Sequence, residues 1–163
     1  MSSRRGHWAP PTATERLAIL RRTRQVAIVG ASANPARPSY FVSTYLVSSS
    51  CDYEVSFVNP KETEILGRPC YPSLASLPAP PDLVDVFRRN EELDGVAEDA
   101  VAAGAKTLWA QLGLWDEDAA QLAFAAGLDV VMNRCLKIEH ARFHGGLHLA
   151  GFDTGVISAR LRL

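Results

Sequence analysis

Short apolar runs alternate with amphipathic stretches through most of the chain. The runs have few polar residues on either face, which is typical of strands buried on both sides of a sheet. They cover residues 26–29, 53–58, 83–87, 107–112 and 128–132. Helical periodicity occupies three of the intervening segments, at residues 38–47, 91–103 and 116–126. This alternation predicts a doubly wound α/β domain, with a mainly parallel five-stranded sheet and helices on both faces.

The two ends of the chain stand outside this alternation. Residues 1–24 carry six arginines and one glutamate, whereas the whole chain of 163 residues has a formal charge of -1. We interpret this basic arm as a leader followed by a solvated helix over residues 13–24, and polyanion binding is the alternative. The near-neutral total gives no reason to expect nucleic acid as a partner. Residues 143–163 form an apolar, glycine-containing tail, which we expect to pack on the body or on a second subunit.

Cysteine and histidine usage does not point to disulfides or to a metal. The three cysteines are widely spaced and form no CxxC motif, so neither a disulfide framework nor a zinc site is expected. His140, His144 and His148 are spaced by four, but two glycines interrupt the helix that would align them. No apolar stretch is long enough for a secretory leader or a membrane span. We therefore expect a cytoplasmic protein with no membrane partner.

Polar or small residues follow each predicted strand, at the edge of the sheet where doubly wound domains bind ligands. After the first strand, Gly30 allows a tight turn and a close approach of the backbone to a ligand. The next helix opens with Arg37, Pro38 and Ser39, and proline suits the first helical position. Backbone amides, the helix end and the guanidinium together predict a site for a phosphate or pyrophosphate. The loop lacks the G-x-G-x-x-G pattern, so it does not by itself specify a dinucleotide.

The residues after the second strand narrow the choice of nucleotide. An NAD-binding domain would offer an acidic residue there for the ribose hydroxyl, whereas this chain offers Asn59, Pro60 and Lys61. A cation at this position favours a ribose with an extra phosphate, which both NADP and coenzyme A carry. The alternative is that Lys61 belongs to a solvated charge cluster with Glu62 and Glu64. Too few residues follow the fifth strand for a substrate domain, so an NADP ligand would indicate a reductase-like or regulatory module.

Six segments resemble, in order, the small stand-alone CoA-binding domain proteins. They read VAIVGAS at 26–32, RPSY at 37–40, VNPK at 58–61, VFRR at 86–89, WAQLG at 109–113 and VMNRCLKIEH at 131–140. The fold of that family is similar to the N-terminal domain of the succinyl-CoA synthetase α subunit. The resemblance implies a Rossmann-like, CoA-binding domain over residues 25–142, which holds coenzyme A by its 3′-phospho-ADP moiety.

The resemblance also implies roles for particular positions. Ser32, Ala33 and Asn34 correspond to the phosphate-contacting loop, and Ala33 replaces a glycine of the synthetase there. Lys61 corresponds to a CoA-binding lysine, and Gln111 lies where the fourth strand meets the cofactor. The full set of expected cofactor-binding residues is Gly30, Ala31, Ser32, Ala33, Asn34, Arg37, Pro38, Ser39, Asn59, Lys61, Phe87, Arg88 and Gln111.

These observations lead us to expect a coenzyme A or acyl-CoA binding protein that is non-catalytic alone. The synthetase carries its phosphohistidine in a following domain that we do not expect here, so its ligation chemistry is not carried over. An enzyme that uses the CoA thioester through unidentified residues is an alternative. Whether the chain forms a homodimer or binds a partner protein stays open.

Several other residues are expected to be structural. We expect Asp82 at the start of the third strand and Asp85 on its polar face, and we do not interpret the two as a catalytic pair. Trp109 is expected in the core and Cys135 as a buried cysteine, whereas Trp115 is expected near the mouth of the crevice.

Overall fold

A computed structural model describes residues 6–48 and 51–144, with a seven-stranded sheet at its centre. The strands are β1 (Gln25–Val29), β2 (Glu54–Val58), β3 (Glu64–Ile65), β4 (Arg68–Tyr71), β5 (Leu83–Val86), β6 (Thr107–Ala110) and β7 (Asp129–Val131). The helices are α1 (Ala13–Arg22), α2 (Pro38–Leu46), α3 (Leu93–Ala102), α4 (Glu117–Ala125) and α5 (Leu136–His144). The sheet order is β3-β4-β2-β1-β5-β6-β7, and every neighbouring pair is parallel except β3 and β4.

The doubly wound α/β architecture is confirmed, but the sheet has seven strands and not five. The two additional strands, β3 and β4, form a hairpin that extends the sheet beyond β2. Its turn places Leu66 and Gly67 at positive φ, 52° and 74°, as a tight hairpin turn requires. A two-residue strand has no measurable periodicity and the turn lacks an Asn-Gly or Asp-Gly signal, so the apolar pattern did not reveal the hairpin.

The two faces of the sheet carry separate apolar layers. Within β1, Ala27 and Val29 pack towards one layer, and Val26 and Ile28 towards the other. The first layer contains residues of α3 and α4, and the second contains residues of α1, α2 and α5. Strands covered on both faces are apolar throughout, which is why the runs in the sequence are continuous and do not alternate.

Asp85 is the exception within this apolar sheet. It lies on β5 between Ile28 and Trp109 in register, and its side chain is fully buried. Neither carboxyl oxygen has a hydrogen-bond partner among the described residues. The expectation that Asp85 lies on a polar face is wrong, because every residue of β5 is buried and the strand has no polar face. Burial disfavours the charged form of this carboxyl and raises the pKa of Asp85 well above its usual range.

The N-terminal helix is attached to the sheet domain by both apolar and ionic contacts. Thr12 and Glu15 form a capping box at the start of α1, and Ile19 and Leu20 are buried in the second layer. Arg16, on the same helix, is buried and its Nε donates to Glu139 of α5 at 2.6 Å. This arginine departs from the expectation of a solvated basic arm, because a buried carboxylate on α5 pairs with it.

No helix within residues 6–48 and 51–144 is long and apolar enough to cross a membrane. The division of the chain into arm, domain and tail stays a prediction, and residues 145–163 of the expected tail lie outside the described residues.

Candidate functional site

The sheet topology creates a crevice at the carboxyl ends of β1 and β5. The chain leaves β1 towards β2 on one side, and later returns to place β5 on the other side of β1. Ligands of doubly wound sheets bind at such a reversal of strand order, because the two following loops diverge there. A cleft of about 690 Å³ opens at this point. Its walls are Gly30, Ser32, Arg37, Ser39, Asn59, Pro60, Lys61, Glu62, Phe87, Arg88, Arg89 and Glu92.

Gly30 brings the ends of β1 and β5 into contact at the floor of the cleft. Its φ is +87°, and a Cβ at this position would lie 2.0 Å from the carbonyl oxygen of Phe87. The Gly30 N–H donates to the carbonyl of Val58 at 2.8 Å, and the Phe87 N–H donates to the carbonyl of Val29 at 2.8 Å. Both the backbone conformation and the close approach therefore require glycine here.

The loop between β1 and α2 is folded by its own serine and asparagine side chains. The buried hydroxyl of Ser39 accepts from the Ser32 N–H at 3.1 Å, and Ser32 Oγ accepts from the Asn34 N–H at 3.0 Å. Pro38 occupies the first turn of α2, as the sequence predicts. Arg37 precedes it with an exposed side chain that makes no ion pair among the described residues. Its guanidinium is therefore available to an anion in the cleft.

Asn59 connects this loop to the one that follows β2. Its Nδ2 donates to the carbonyl of Ala31 at 2.8 Å, and its Oδ1 accepts from the Lys61 N–H at 2.9 Å. The side chain of Lys61 is exposed and has no carboxylate partner in the part of the chain that the structure describes. Asn59 thus fixes the backbone from which a second unpaired cation enters the cleft.

Glu62, the next residue, contacts the β1–α2 loop directly. Its Oε2 accepts from the Ala33 N–H at 2.9 Å. The sequence placed Glu62 only in a possible charge cluster around Lys61. A bond between residues 29 positions apart has no signature in a single sequence, so this contact was not anticipated.

The far wall of the cleft is a small network of ion pairs. Glu92 Oε1 accepts from Arg88 Nε at 2.6 Å, and its Oε2 accepts from Arg89 Nε at 3.0 Å. These two hydrogen bonds hold the pKa of Glu92 below its usual value, so it is ionised at neutral pH. The cleft is lined by four basic residues and two acidic ones, which leaves an excess of positive charge.

A second, smaller cavity of about 280 Å³ adjoins the cleft and shares Pro60, Arg88 and Glu92 with it. It lies on the α3 side of the sheet, and its apolar walls include Val29, Val58, Leu74 and Val96. The shared walls make the two cavities neighbouring parts of one surface. Sequence reasoning missed this cavity, because Leu74 follows β4 and Val96 lies on α3, away from the strand ends that it considered.

Eight of the thirteen residues selected from the sequence line the cleft, and five do not. Ala31 is fully buried, and its carbonyl accepts the hydrogen bond from Asn59. Ala33 and Asn34 are exposed on the loop and Pro38 is exposed at the start of α2, and all three lie outside the lining. Gln111 is buried, and its Oε1 accepts from the N–H of Leu136 at 3.0 Å, which fixes the first turn of α5. A role in ligand binding stays a prediction for all thirteen.

The remaining expectations concern residues away from the cleft. Trp109 is fully buried, as predicted, and Cys135 is a buried free thiol, also as predicted. Trp115 is 41% exposed and packs against Trp8 with the two rings tilted by 59° and their centroids 5.4 Å apart. His140 is buried with its Nδ1 2.9 Å from the Tyr45 hydroxyl. The side chain of His144, and all of His148, lie outside the described residues.

The fold and the cleft define a doubly wound α/β protein with a cationic crevice at its strand reversal, a type of site that suits phosphorylated nucleotides. Comparison with known families agrees with this class. Residues 24–141 match the model of a family described as CoA binding domain. The chain belongs to this family.

Individual proteins similar to this chain extend the comparison. An uncharacterized protein of Bacillus subtilis (strain 168), YneT, is 40% identical over 131 residues, which are 80% of this chain and 96% of that protein. A hypothetical protein from Pyrococcus horikoshii OT3 has a similar structure, with a TM-score of 0.78 and 37% identity, over 86% of this chain and 100% of that chain. A dinucleotide forming acetyl-coenzyme A synthetase from Ca. Korarchaeum cryptofilum matches with a TM-score of 0.58 and 25% identity, over 65% of this chain and 25% of the synthetase.

Proposed function

We propose that the protein binds coenzyme A or an acyl-CoA in the cleft, through the 3′-phospho-ADP moiety of the ligand. Membership in the CoA binding domain family supports this ligand class. The observation that carries the assignment to this site is the pair of basic side chains, Arg37 and Lys61. Both line one cleft, and neither has a carboxylate partner among the described residues. Unpaired cations beside backbone N–H groups are the chemistry that binds phosphates.

The proposed ligand can be divided between the cleft and the neighbouring cavity. We assign the diphosphate to the β1–α2 loop and Arg37, because that loop follows the glycine turn. The 3′-phosphate is assigned to Lys61, since a cation after β2 meets the ribose in this class of fold. The apolar cavity lined by Val58, Leu74 and Val96 suits the adenine ring.

We propose a role in holding the ligand and not in transforming it. Nucleophilic catalysis by a hydroxyl needs an adjacent base, and neither Ser32 nor Ser39 of the cleft has a hydrogen bond to a carboxylate or a histidine among the described residues. Both hydroxyls already accept hydrogen bonds within the loop. A cytoplasmic protein that stores, senses or presents coenzyme A fits these features.

Calorimetric titration with coenzyme A, 3′-dephospho-CoA and NADPH tests the proposed ligand. We expect coenzyme A to bind at micromolar concentration, and loss of its 3′-phosphate to cost about 1–3 kcal/mol, as the loss of a charge-assisted hydrogen bond does. Tighter binding of NADPH than of coenzyme A would favour the reductase-like or regulatory alternative. Release of free thiol from acetyl-CoA by the purified protein would contradict the non-catalytic role.

A further inference from the structure

The carboxylate of Glu62 occupies a backbone N–H group that the proposed site would use to bind a phosphate. Its Oε2 accepts from the Ala33 N–H at 2.9 Å, and Ala33 lies in the loop between β1 and α2. Neighbouring donors of this loop also have internal acceptors, since Ser39 Oγ accepts from Ser32 and Ser32 Oγ accepts from Asn34. Among these acceptors, Glu62 alone carries a formal negative charge and reaches the loop from a different strand end.

A carboxylate and a phosphate are both anionic acceptors, so they compete for the same N–H group. Glu62 follows Lys61 directly, and Asn59 anchors this turn to the β1–α2 loop through its bond to Ala31. The turn after β2 therefore presents two opposite charges. The Glu62 carboxylate accepts from the β1–α2 loop, whereas the Lys61 side chain has no carboxylate partner among the described residues. Moving the Glu62 side chain requires only rotation about its own bonds, because the backbone of the turn is held by Asn59.

We infer that Glu62 is an internal competitor for the phosphate loop, which a ligand phosphate must displace. This inference rests on the proposed function and adds a determinant of ligand affinity to it. A small anion gains one hydrogen bond from the Ala33 N–H, but Glu62 loses the same hydrogen bond, so the net gain in binding free energy is small. A nucleotide with several phosphoryl groups also engages Lys61 and Arg37, which compensates for the displacement. Glu62 thereby lowers the affinity of every phosphate ligand that uses the Ala33 N–H.

Replacement of Glu62 by glutamine keeps the length of the side chain and removes its charge. We expect Glu62→Gln to bind both coenzyme A and inorganic pyrophosphate about tenfold more tightly than the natural chain, about 1.4 kcal/mol. Glu62→Ala, which removes the acceptor, is expected to bind at least as tightly as Glu62→Gln. Glu64→Gln is the matched control, because Glu64 is exposed, lies two residues away on β3 and does not line the cleft. Its affinities should stay within about twofold of the natural chain.

The resonance of the Ala33 amide in a proton–nitrogen correlation spectrum reports the contact itself. We expect it to move in ligand-free Glu62→Gln and to stay in place in Glu64→Gln. Pyrophosphate should then move this resonance in both the natural chain and Glu62→Gln, at lower concentration in the variant.

These measurements separate a failure of the inference from a failure of the proposed function. If coenzyme A binds the natural chain, but Glu62→Gln and Glu62→Ala bind with unchanged affinity, the competitor role is refuted and the ligand stands. An equal gain in Glu64→Gln would also refute it, because general charge and not the contact would then be responsible. If coenzyme A does not bind, but pyrophosphate binds Glu62→Gln more tightly than the natural chain, the competitor role stands without the proposed ligand.

Discussion

The buried carboxyl of Asp85 makes the stability of the fold depend on pH in a direction that can be stated in advance. In the unfolded chain this aspartate ionises with a pKa of about 3.9. In the folded chain, burial without a hydrogen-bond partner raises its pKa well above its usual range. Between these two pKa values the folded chain holds one proton more than the unfolded chain. Its contribution to stability is therefore complete at low pH, and it is lost as the pH rises towards the folded pKa.

Substitution Asp85→Asn removes this proton while it keeps the shape of the side chain. One proton of difference corresponds to about 1.4 kcal/mol of unfolding free energy per pH unit. We expect the variant to lie within about 1 kcal/mol of the natural chain at pH 5, since both bury unpaired polar atoms. As the pH rises from 5 towards the folded pKa of Asp85, the variant should gain about 1.4 kcal/mol per pH unit relative to the natural chain, because only the natural chain loses a proton on unfolding.

Urea unfolding at pH 5, 6 and 7, at constant ionic strength, measures this difference. Asp82→Asn is the matched control, because Asp82 accepts hydrogen bonds from the N–H groups of Arg24 and Gln25 and its pKa is lowered. Stability that comes from a lowered carboxyl pKa is lost only as the pH falls through that pKa, so the effect of this control should be constant from pH 5 to pH 7. A constant difference for Asp85→Asn would refute the claim that burial raises the pKa of Asp85.

Three further substitutions test the packing around the site and the domain. Gly30→Ala should lower the unfolding free energy by at least about 2 kcal/mol, because positive φ is unfavourable for alanine and its Cβ would lie 2.0 Å from the Phe87 carbonyl oxygen. A urea midpoint equal to that of the natural chain would contradict this close approach. Asn59→Asp keeps the acceptor for the Lys61 N–H but loses the donor to the Ala31 carbonyl. We therefore expect calorimetry to show about tenfold weaker CoA binding, about 1.4 kcal/mol. Unchanged affinity would show that Asn59 does not position the site. Glu139→Gln should lower the unfolding free energy measured in urea by about 3 kcal/mol, since this 2% exposed carboxylate pairs with three arginines within 3.7 Å. A loss below about 1 kcal/mol would show that the cluster does not need the negative charge of Glu139.

The sheet was predictable from sequence because burial on both faces makes each strand a continuous apolar run. All five predicted runs contain or overlap an observed strand, including β1 and β5 at the crevice. The β3–β4 hairpin escaped this reasoning, since its strands are two and four residues long and lie at the edge of the sheet. Asp85 was misplaced because a single carboxylate within an apolar run looks like the polar half of an alternating strand.

The cleft was predictable to the extent that it is made from strand ends. Parallel strands bring their following loops to one edge, so the amino-acid sequence is enough to group Gly30, Lys61 and Arg88. Contacts between side chains and distant backbone could not be found in the same way. Glu62 reaches Ala33 across two loops, and Gln111 turns away to bond the start of α5. Both depend on side-chain direction, which a residue pattern does not encode.

The most direct test of the proposed site combines a change in the ligand with a change in the protein. Coenzyme A and 3′-dephospho-CoA are titrated calorimetrically into the natural chain, Lys61→Gln and Lys106→Gln, the last being an exposed lysine before β6 that pairs with Asp82 outside the cleft. We predict that removal of the 3′-phosphate weakens binding to the natural chain and to Lys106→Gln by about 1–3 kcal/mol, and binding to Lys61→Gln by less than about 0.5 kcal/mol. The same loss in all three proteins would contradict the contact between Lys61 and the 3′-phosphate, and with it the proposed orientation of coenzyme A in the cleft.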